Sequence, residues 1–242
     1  MDTTIVYLTN NILDPKIDAL CRKNILDSIG DLRLVSVSQK PIDFGENIVV
    51  GKLPYSSLSI CLQAREALKV IDTPYVAMAE HDCLYTNEHF AFTPPDIDTY
   101  WYNTNVWFLQ LEDGLYSRVH DRKANSQLIC GTDALRRSID DRIEIMGDPK
   151  WLNRYPTGRV GEPGAMDYDH SKRLSSSILP HDNNARVKLE EYVTKHKANT
   201  WKSKIPNIDF RHNDNFTKCR RGLHRKYELE PWGKLEDVLN GT

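Results

Sequence analysis

Apolar and polar residues fall into short blocks along the first 80 positions, and the blocks follow two periods. Residues 4–9 (TIVYLT) are an apolar, β-branched run that predicts a buried strand, stopped by Asn10 and Asn11. Asp14 followed by Pro15 predicts a helix start, a capping carboxylate before a proline at the first helical position. Ile17, Leu20, Cys21 and Ile25 continue at helical spacing, and Gly30 closes the helix. Residues 32–38 predict a second strand and 48–50 a short third. Ser56 or Ser57 opens a helix to about Lys69, with Leu58, Cys61, Leu62 and Leu68 mostly on one face. Tyr75–Ala79 is a further apolar strand running into Glu80, His81 and Asp82.

This strand–helix alternation predicts an α/β fold, with a mostly parallel central sheet flanked by helices on both faces. Ligands in such folds bind beyond the carboxyl ends of the strands. Asn10, Asn11, Ser38, Gln39 and Glu80–Asp82 fall at those ends. The pattern changes after Thr93-Pro94-Pro95. Residues 100–109 read as one long aromatic strand and 127–130 as another. Thr132 is expected to cap a helix carrying Leu135, Ile139, Ile143 and Met146. A Gly/Pro-rich loop runs to Gly164, Asp167 opens a short helix, and a polar helix covers about 184–198. The expected organisation is one compact domain of two lobes, residues 1–92 and 93–242, that share one sheet.

Composition narrows the class. Hydrophobic residues make up 40% and charged residues 27%, a globular balance. No apolar run approaches the roughly 18 residues of a membrane-spanning helix. The start, MDTTIVYLTNN, lacks the basic and long apolar parts of a signal peptide. Five widely spaced cysteines without a CxxC pair argue against a disulfide framework and for a reducing, cytoplasmic setting. The net charge of −2 hides an asymmetry: residues 185–226 hold twelve Lys and Arg against four acids. A surplus of eight positive charges there suits an anionic ligand or partner.

Two carboxylates and an imidazole where a strand leaves the core need a partner, and a divalent cation supplies one. Carboxylates suit Mg²⁺ or Mn²⁺, and an imidazole adds affinity for Mn²⁺.

Several short motifs occur in an order that resembles the GT-A glycosyltransferases, especially the family 2 type. Ala64-Arg65-Glu66-Ala67 resembles their central helix, and Glu80-His81-Asp82 their Asp-x-Asp-type motif, with Glu in place of the first Asp. Asp167-Tyr168-Asp169-His170-Ser171-Lys172-Arg173-Leu174 resembles their later Glu-Asp-x-Asp-Leu-x-x-Arg-Leu motif, with Met166 where the leading Glu stands. The resemblance covers most of residues 3–175. It implies metal-dependent transfer of a sugar from a nucleoside-diphosphate sugar, a UDP-sugar first, to a hydroxyl acceptor.

It also implies roles. Asp82 and Glu80 hold Mn²⁺ or Mg²⁺, joined by His212 from the late stretch Asp209–Thr217. Asp167 is the general base if the enzyme inverts, with Glu162 in the Gly/Pro loop as the alternative; a retaining enzyme would not need that base. Thr9, Asn10, Asn11, Ser38 and Gln39 line the nucleoside pocket by strand-end position, and Arg65 reaches the base or a phosphate. Arg211 and Lys218 offset diphosphate charge. The acceptor is left open among a glycan, a lipid-linked sugar and a nucleic-acid hydroxyl such as a hydroxymethylated base in viral DNA. The basic segment, with Trp201, Phe210 and Phe216 interleaved, suits the last. A nucleotidyltransferase is a further alternative, although Asn10-Asn11-Ile12 stands where its Gly-rich phosphate loop is expected. A non-catalytic binding module would bind neither Mn²⁺ nor a nucleoside diphosphate.

Overall fold

The computed structural model describes residues 2–118, 121–148, 160, 162–164, 195–213, 215 and 224–241. The N-terminal part follows the expected alternation: β1 (Thr3–Thr9), α1 (Pro15–Ile29), β2 (Arg33–Ser38), β3 (Glu46–Val49), α2 (Ser57–Leu68) and β4 (Tyr75–Glu80). The helix starts are chemically explicit. Asp14 Oδ1 accepts from the N–H groups of Lys16 and Ile17 at 2.9 and 3.3 Å, and Ser56 Oγ from that of Ser59 at 3.2 Å. Each such cap stabilises its helix by about 1 kcal/mol.

Beyond β4 come β5 (Cys83–Leu84), α3 (Asn87–Ala91), β6 (Tyr100–Asn103), β7 (Val106–Gln110), β8 (Tyr116–Arg118), β9 (Leu128–Gly131) and α4 (Thr132–Gly147). The described C-terminal elements are β10 (Ala198–Trp201), β11 (Asn207–Arg211), β12 (His224–Lys226) and α5 (Leu235–Asn240). Seven strands form one sheet in the order β10-β6-β9-β4-β1-β2-β3. Only β9 runs antiparallel to its neighbours, so the sheet is mostly parallel as expected. Helices cover both faces. α2 and α4 pack Cys61, Ala64, Leu135 and Ile139 on Val6, Val35 and Met78, while α1 packs Ile25 and Ile29 on Ile5, Tyr7 and Ala77.

The other five strands form a second sheet, β12-β8-β7-β11-β5, which sequence reading did not anticipate. It buries Leu109, Tyr116, Ile208 and Phe210 against Ile17 and Cys21 of α1. The chain passes from the first sheet to the second three times: β4 to β5, β6 to β7, and β10 to β11.

The expected single strand over 100–109 is therefore two strands in different sheets. The polar triplet Asn103-Thr104-Asn105 separates them. Asn103 Oδ1 accepts from the N–H groups of Asn105 and Ser203 at 3.0 and 3.2 Å, and Asn103 Nδ2 donates to Ser203 Oγ at 2.9 Å. These buried bonds fasten the β6–β7 crossing to the β10–β11 crossing. Two smaller expectations also change. Gly131, not Thr132, holds the N-cap position of α4, because the Ile97 carbonyl oxygen packs where a Cβ on residue 131 would lie; Thr132 Oγ1 donates instead to Thr73 O at 2.6 Å. The polar stretch over 184–198 ends in strand, with Ala198 opening β10, and residues 165–194 lie outside the described set. Among the described residues no helix is long and apolar enough to cross a membrane.

Candidate active site

The first crossing builds the site. β4 ends at Glu80, the chain turns through His81 and Asp82, and Cys83 enters the second sheet opposite Asp209 of β11. The Phe210 N–H donates to Asp82 O at 2.8 Å, so the two sheets are joined at the residue that carries the carboxylate. Asp82 is buried, and its Oδ2 accepts from Asn215 Nδ2 at 2.8 Å and lies 3.6 Å from His212 Nε2. His212 is fixed in turn, its backbone N–H donating to Asn215 Oδ1 at 2.6 Å. One ligand atom from each of His81, Asp82 and His212 falls within 4.8 Å of the others.

Glu80 belongs to the same cleft but not to that cluster. Its Oε1 accepts from Asn125 Nδ2 at 3.2 Å, and its backbone N–H donates to the Tyr85 hydroxyl at 3.0 Å. The two carboxyls sit in opposite electrostatic surroundings. Burial, then the negative charges of Asp82 and Asp209, push Glu80 up to about 8, which keeps it protonated near neutrality. Burial also acts to raise Asp82, but the hydrogen bond from His212 and the charges of His81 and Arg211 outweigh it and hold Asp82 down to about 2. Burial lowers His81, favouring the neutral, ligating imidazole. A divalent cation fits this donor set: one ionised carboxylate and two imidazoles converging from two segments about 130 residues apart.

Charge balance comes from arginines. Arg211 and Arg122 donate to Asp209 Oδ2 at 2.8 and 3.2 Å, and both guanidiniums lie over the Phe108 ring, 4.0 and 4.7 Å from its centroid. Burial raises Asp209 while these two arginines pull it back. On the far wall Arg142 of α4 reaches Glu162 at 3.8 Å and donates to Val160 O at 3.3 Å, tying the Gly/Pro loop to the helix.

Of the residues singled out from sequence, Thr9, Asn10, Gln39, Glu80, Asp82, Glu162 and Arg211 line one cleft at the carboxyl ends of β1, β2 and β4. His212 adjoins it through Asp82. Three others are placed differently. Asn11 is not in the lining; its Oδ1 accepts from the N–H groups of Gln39 and Lys40 at 2.8 and 2.9 Å, stitching the end of β1 to that of β2. Ser38 is tied to Asn47 of β3, and Arg65 lies in the last turn of α2 away from the cleft wall. Asp167 and Lys218 lie outside the described residues.

The structure adds residues that local reading had not selected. Asp209 shares one face of β11 with the already selected Arg211 by period-two alternation, a signal present in the sequence once β11 is recognised as a strand. Gln63 Nε2 donates to Thr9 O and Val37 O at 2.8 and 3.2 Å, closing the strand ends from beneath. Arg122, Asn125 and Arg142 carry no local signal, because only the tertiary fold brings them to the cleft.

No protein-family model and no curated protein matches the chain. Among solved structures, it is similar to a glycosyltransferase involved in glycosylation of the major capsid of PBCV-1 (9% identity, 86% of this chain and 92% of that one, TM-score 0.43). It is also similar to the apo-form glycosyltransferase GlyE of Streptococcus pneumoniae (8%, 82% and 45%, TM-score 0.38) and to the bifunctional IspDF of Campylobacter jejuni (8%, 84% and 50%, TM-score 0.37). The chain thus spans about half the length of IspDF and of GlyE, and most of the PBCV-1 enzyme.

Proposed function

We propose that this protein is a cation-dependent glycosyltransferase that moves a sugar from a nucleoside-diphosphate sugar, UDP-linked in the first instance, to a hydroxyl acceptor. The observation that carries the reading is the convergence of His81, Asp82 and His212 at the carboxyl end of β4, in the cleft that Arg122 and Arg211 also line. A parallel sheet presents its ligand crevice at that edge. A diphosphate needs the combination of cation site and guanidiniums found there.

A cation held by His81, Asp82 and His212 would neutralise the diphosphate leaving group, and the two imidazoles favour Mn²⁺ over Mg²⁺. The chain's own residues do the rest. Arg211, held against Asp209, presents its planar guanidinium to phosphate oxygens without having to reorganise. Asn10 and Gln39 face the nucleoside from the ends of β1 and β2. Glu80, held by the Asn125 side-chain amide in the same cleft, faces the ribose or sugar beside the diphosphate. Asp167, by the motif resemblance, takes the proton of the attacking hydroxyl and gives inversion. Glu162, ion-paired with Arg142 and lining the cleft, orients the acceptor.

One observation favours an anionic acceptor. β12 exposes His224, Arg225 and Lys226 in succession, and Lys226 Nζ lies 4.6 Å from the Trp107 ring centroid. This surface suits phosphate contact, so a nucleic-acid hydroxyl is the second reading. Acceptor binding that falls steeply with salt supports it, and salt-independent binding removes it. The donor is tested by binding and hydrolysis of a panel of nucleoside-diphosphate sugars with and without Mn²⁺. Cation-dependent turnover of one of them is expected. No binding of any member contradicts the reading.

A further inference from the structure

The cation cluster contains an imidazole whose free nitrogen depends on a residue outside it. His81 Nδ1 lies 2.8 Å from Thr9 Oγ1 at the end of β1. That contact occupies Nδ1, so His81 can offer a cation only Nε2. Nε2 has a lone pair only in the tautomer with the proton on Nδ1. Thr9 must then accept from His81, not donate to it.

The surroundings of Thr9 suit the accepting role. Its side chain is buried, and its Oγ1 already accepts the Asn11 N–H at 3.0 Å. A hydroxyl oxygen has two lone pairs, so with one taken by the Asn11 N–H the other is available to accept from the imidazole. Asn11 is held where its N–H can do this. It has φ of 60°, in the left-handed region that few side chains other than Asn tolerate, and its Oδ1 accepts from two N–H groups of the β2 turn. Asn11 thus has its Oδ1 committed to the β2 turn while its N–H anchors the Thr9 hydroxyl.

We infer that Thr9 is a positioning residue of the cation site, fixing His81 as the Nδ1–H tautomer so that Nε2 completes the ligand set with Asp82 and His212. This deepens the cation-dependent reading above and rests on it. The alternative is an accidental contact between a strand-end hydroxyl and a neighbouring ring, in which case the cation would not register the loss of Thr9.

The test is cation binding without any nucleotide. Mn²⁺ and Co²⁺ are titrated into the wild type, Thr9→Val and Thr9→Ser, following heat and the Co²⁺ visible spectrum. Valine keeps the shape and loses the acceptor; serine keeps the acceptor. Loss of a partner that orients a metal-bound histidine costs roughly 10- to 100-fold in metal affinity. Thr9→Val is expected to weaken Mn²⁺ by that factor, and Thr9→Ser to stay within about threefold of the wild type. Long-range ¹H–¹⁵N spectra of the wild type, which need no variant to fold, should show the His81 proton on Nδ1. Wild-type cation affinity in Thr9→Val overturns the role of Thr9 while leaving the cation site standing, and a proton on Nε2 overturns both that role and His81 as a ligand. A wild type that binds neither ion overturns both.

Discussion

Asp82 Oδ2 lies 3.6 Å from His212 Nε2, although Asp82 stands in the first sheet crossing, between β4 and β5, and His212 follows β11 about 130 residues later; the pairing of β5 with β11 and the Phe210 N–H bond to Asp82 O bring them together. Removing either member should therefore act on cation binding before it acts on the fold. His212→Ala is expected to reduce Mn²⁺ affinity by at least roughly tenfold, with little change in the thermal midpoint measured without metal. Calorimetry on the variant and the wild type checks this.

Glu80 makes the sharper contrast. It sits two residues from Asp82 but outside the cluster, with Asn125 as its partner. Glu80→Gln should keep Mn²⁺ affinity within about threefold, whereas Asp82→Asn should lose it, since only the latter removes the anionic ligand. Equal losses in the two variants would place Glu80 among the ligands.

The Arg142–Glu162 pair is enclosed on both sides, with side-chain exposures of 5% and 10%. Breaking a buried pair takes from the remaining charge its ionic partner in the pair. Arg142→Met is expected to destabilise the protein by about 3 kcal/mol or more in urea unfolding. The double variant Arg142→Met/Glu162→Gln should recover more than half of that loss, because no charge is then stranded. An additive double variant would show that the two side chains do not interact.

His89 predicts a pH dependence of stability. It is fully buried beside Tyr85, Phe90 and Trp201, and burial lowers it from 6.5 to about 3. The unfolded chain thus binds a proton that the folded one refuses. Stability from this residue is complete above pH 6.5 and falls with acid, by about 1.4 kcal/mol per pH unit, until pH 3. Glu80 works the other way in the absence of cation: its folded value is raised from 4.5 to about 8, so it favours the fold at low pH and its contribution is lost as pH rises through that range. The two slopes oppose each other between 4.5 and 6.5. The His89 contribution is read as the difference between the wild type and His89→Phe in urea unfolding with a chelator present. A parallel pair of stability curves would contradict it.

The parts of this architecture that were legible in the sequence are those governed by neighbours along the chain. β1 to β4 and α1 and α2 follow from periodicity and from the Asp14 and Ser56 caps. Glu80 and Asp82 stood out because charged groups where an apolar strand ends need partners, and Arg211 through the resemblance, as a guanidinium to offset diphosphate charge. The second sheet was not legible, since the stretch from Tyr100 to Leu109 is aromatic and apolar on both sides of a polar triplet short enough to sit within one strand. Its division depends on bonds between Asn103 and Ser203, 100 residues apart. The sequence groups the His81 imidazole with Glu80 and Asp82 as a cation site, but the family resemblance gives the ligand roles to Glu80, Asp82 and His212; the turn after Glu80, which brings His81 rather than Glu80 into the cluster with Asp82, is set by the tertiary fold.

The central claim is transfer from a nucleoside-diphosphate sugar with the help of a cation at His81, Asp82 and His212. Its most direct test is Mn²⁺-dependent turnover of the donor identified by the panel, measured for the wild type and for Asp82→Ala under conditions where both are folded. The account predicts turnover by the wild type that a chelator abolishes and Mn²⁺ restores, and none by Asp82→Ala at any Mn²⁺ concentration. Turnover of Asp82→Ala at the wild-type rate, or wild-type turnover indifferent to the chelator, would contradict it.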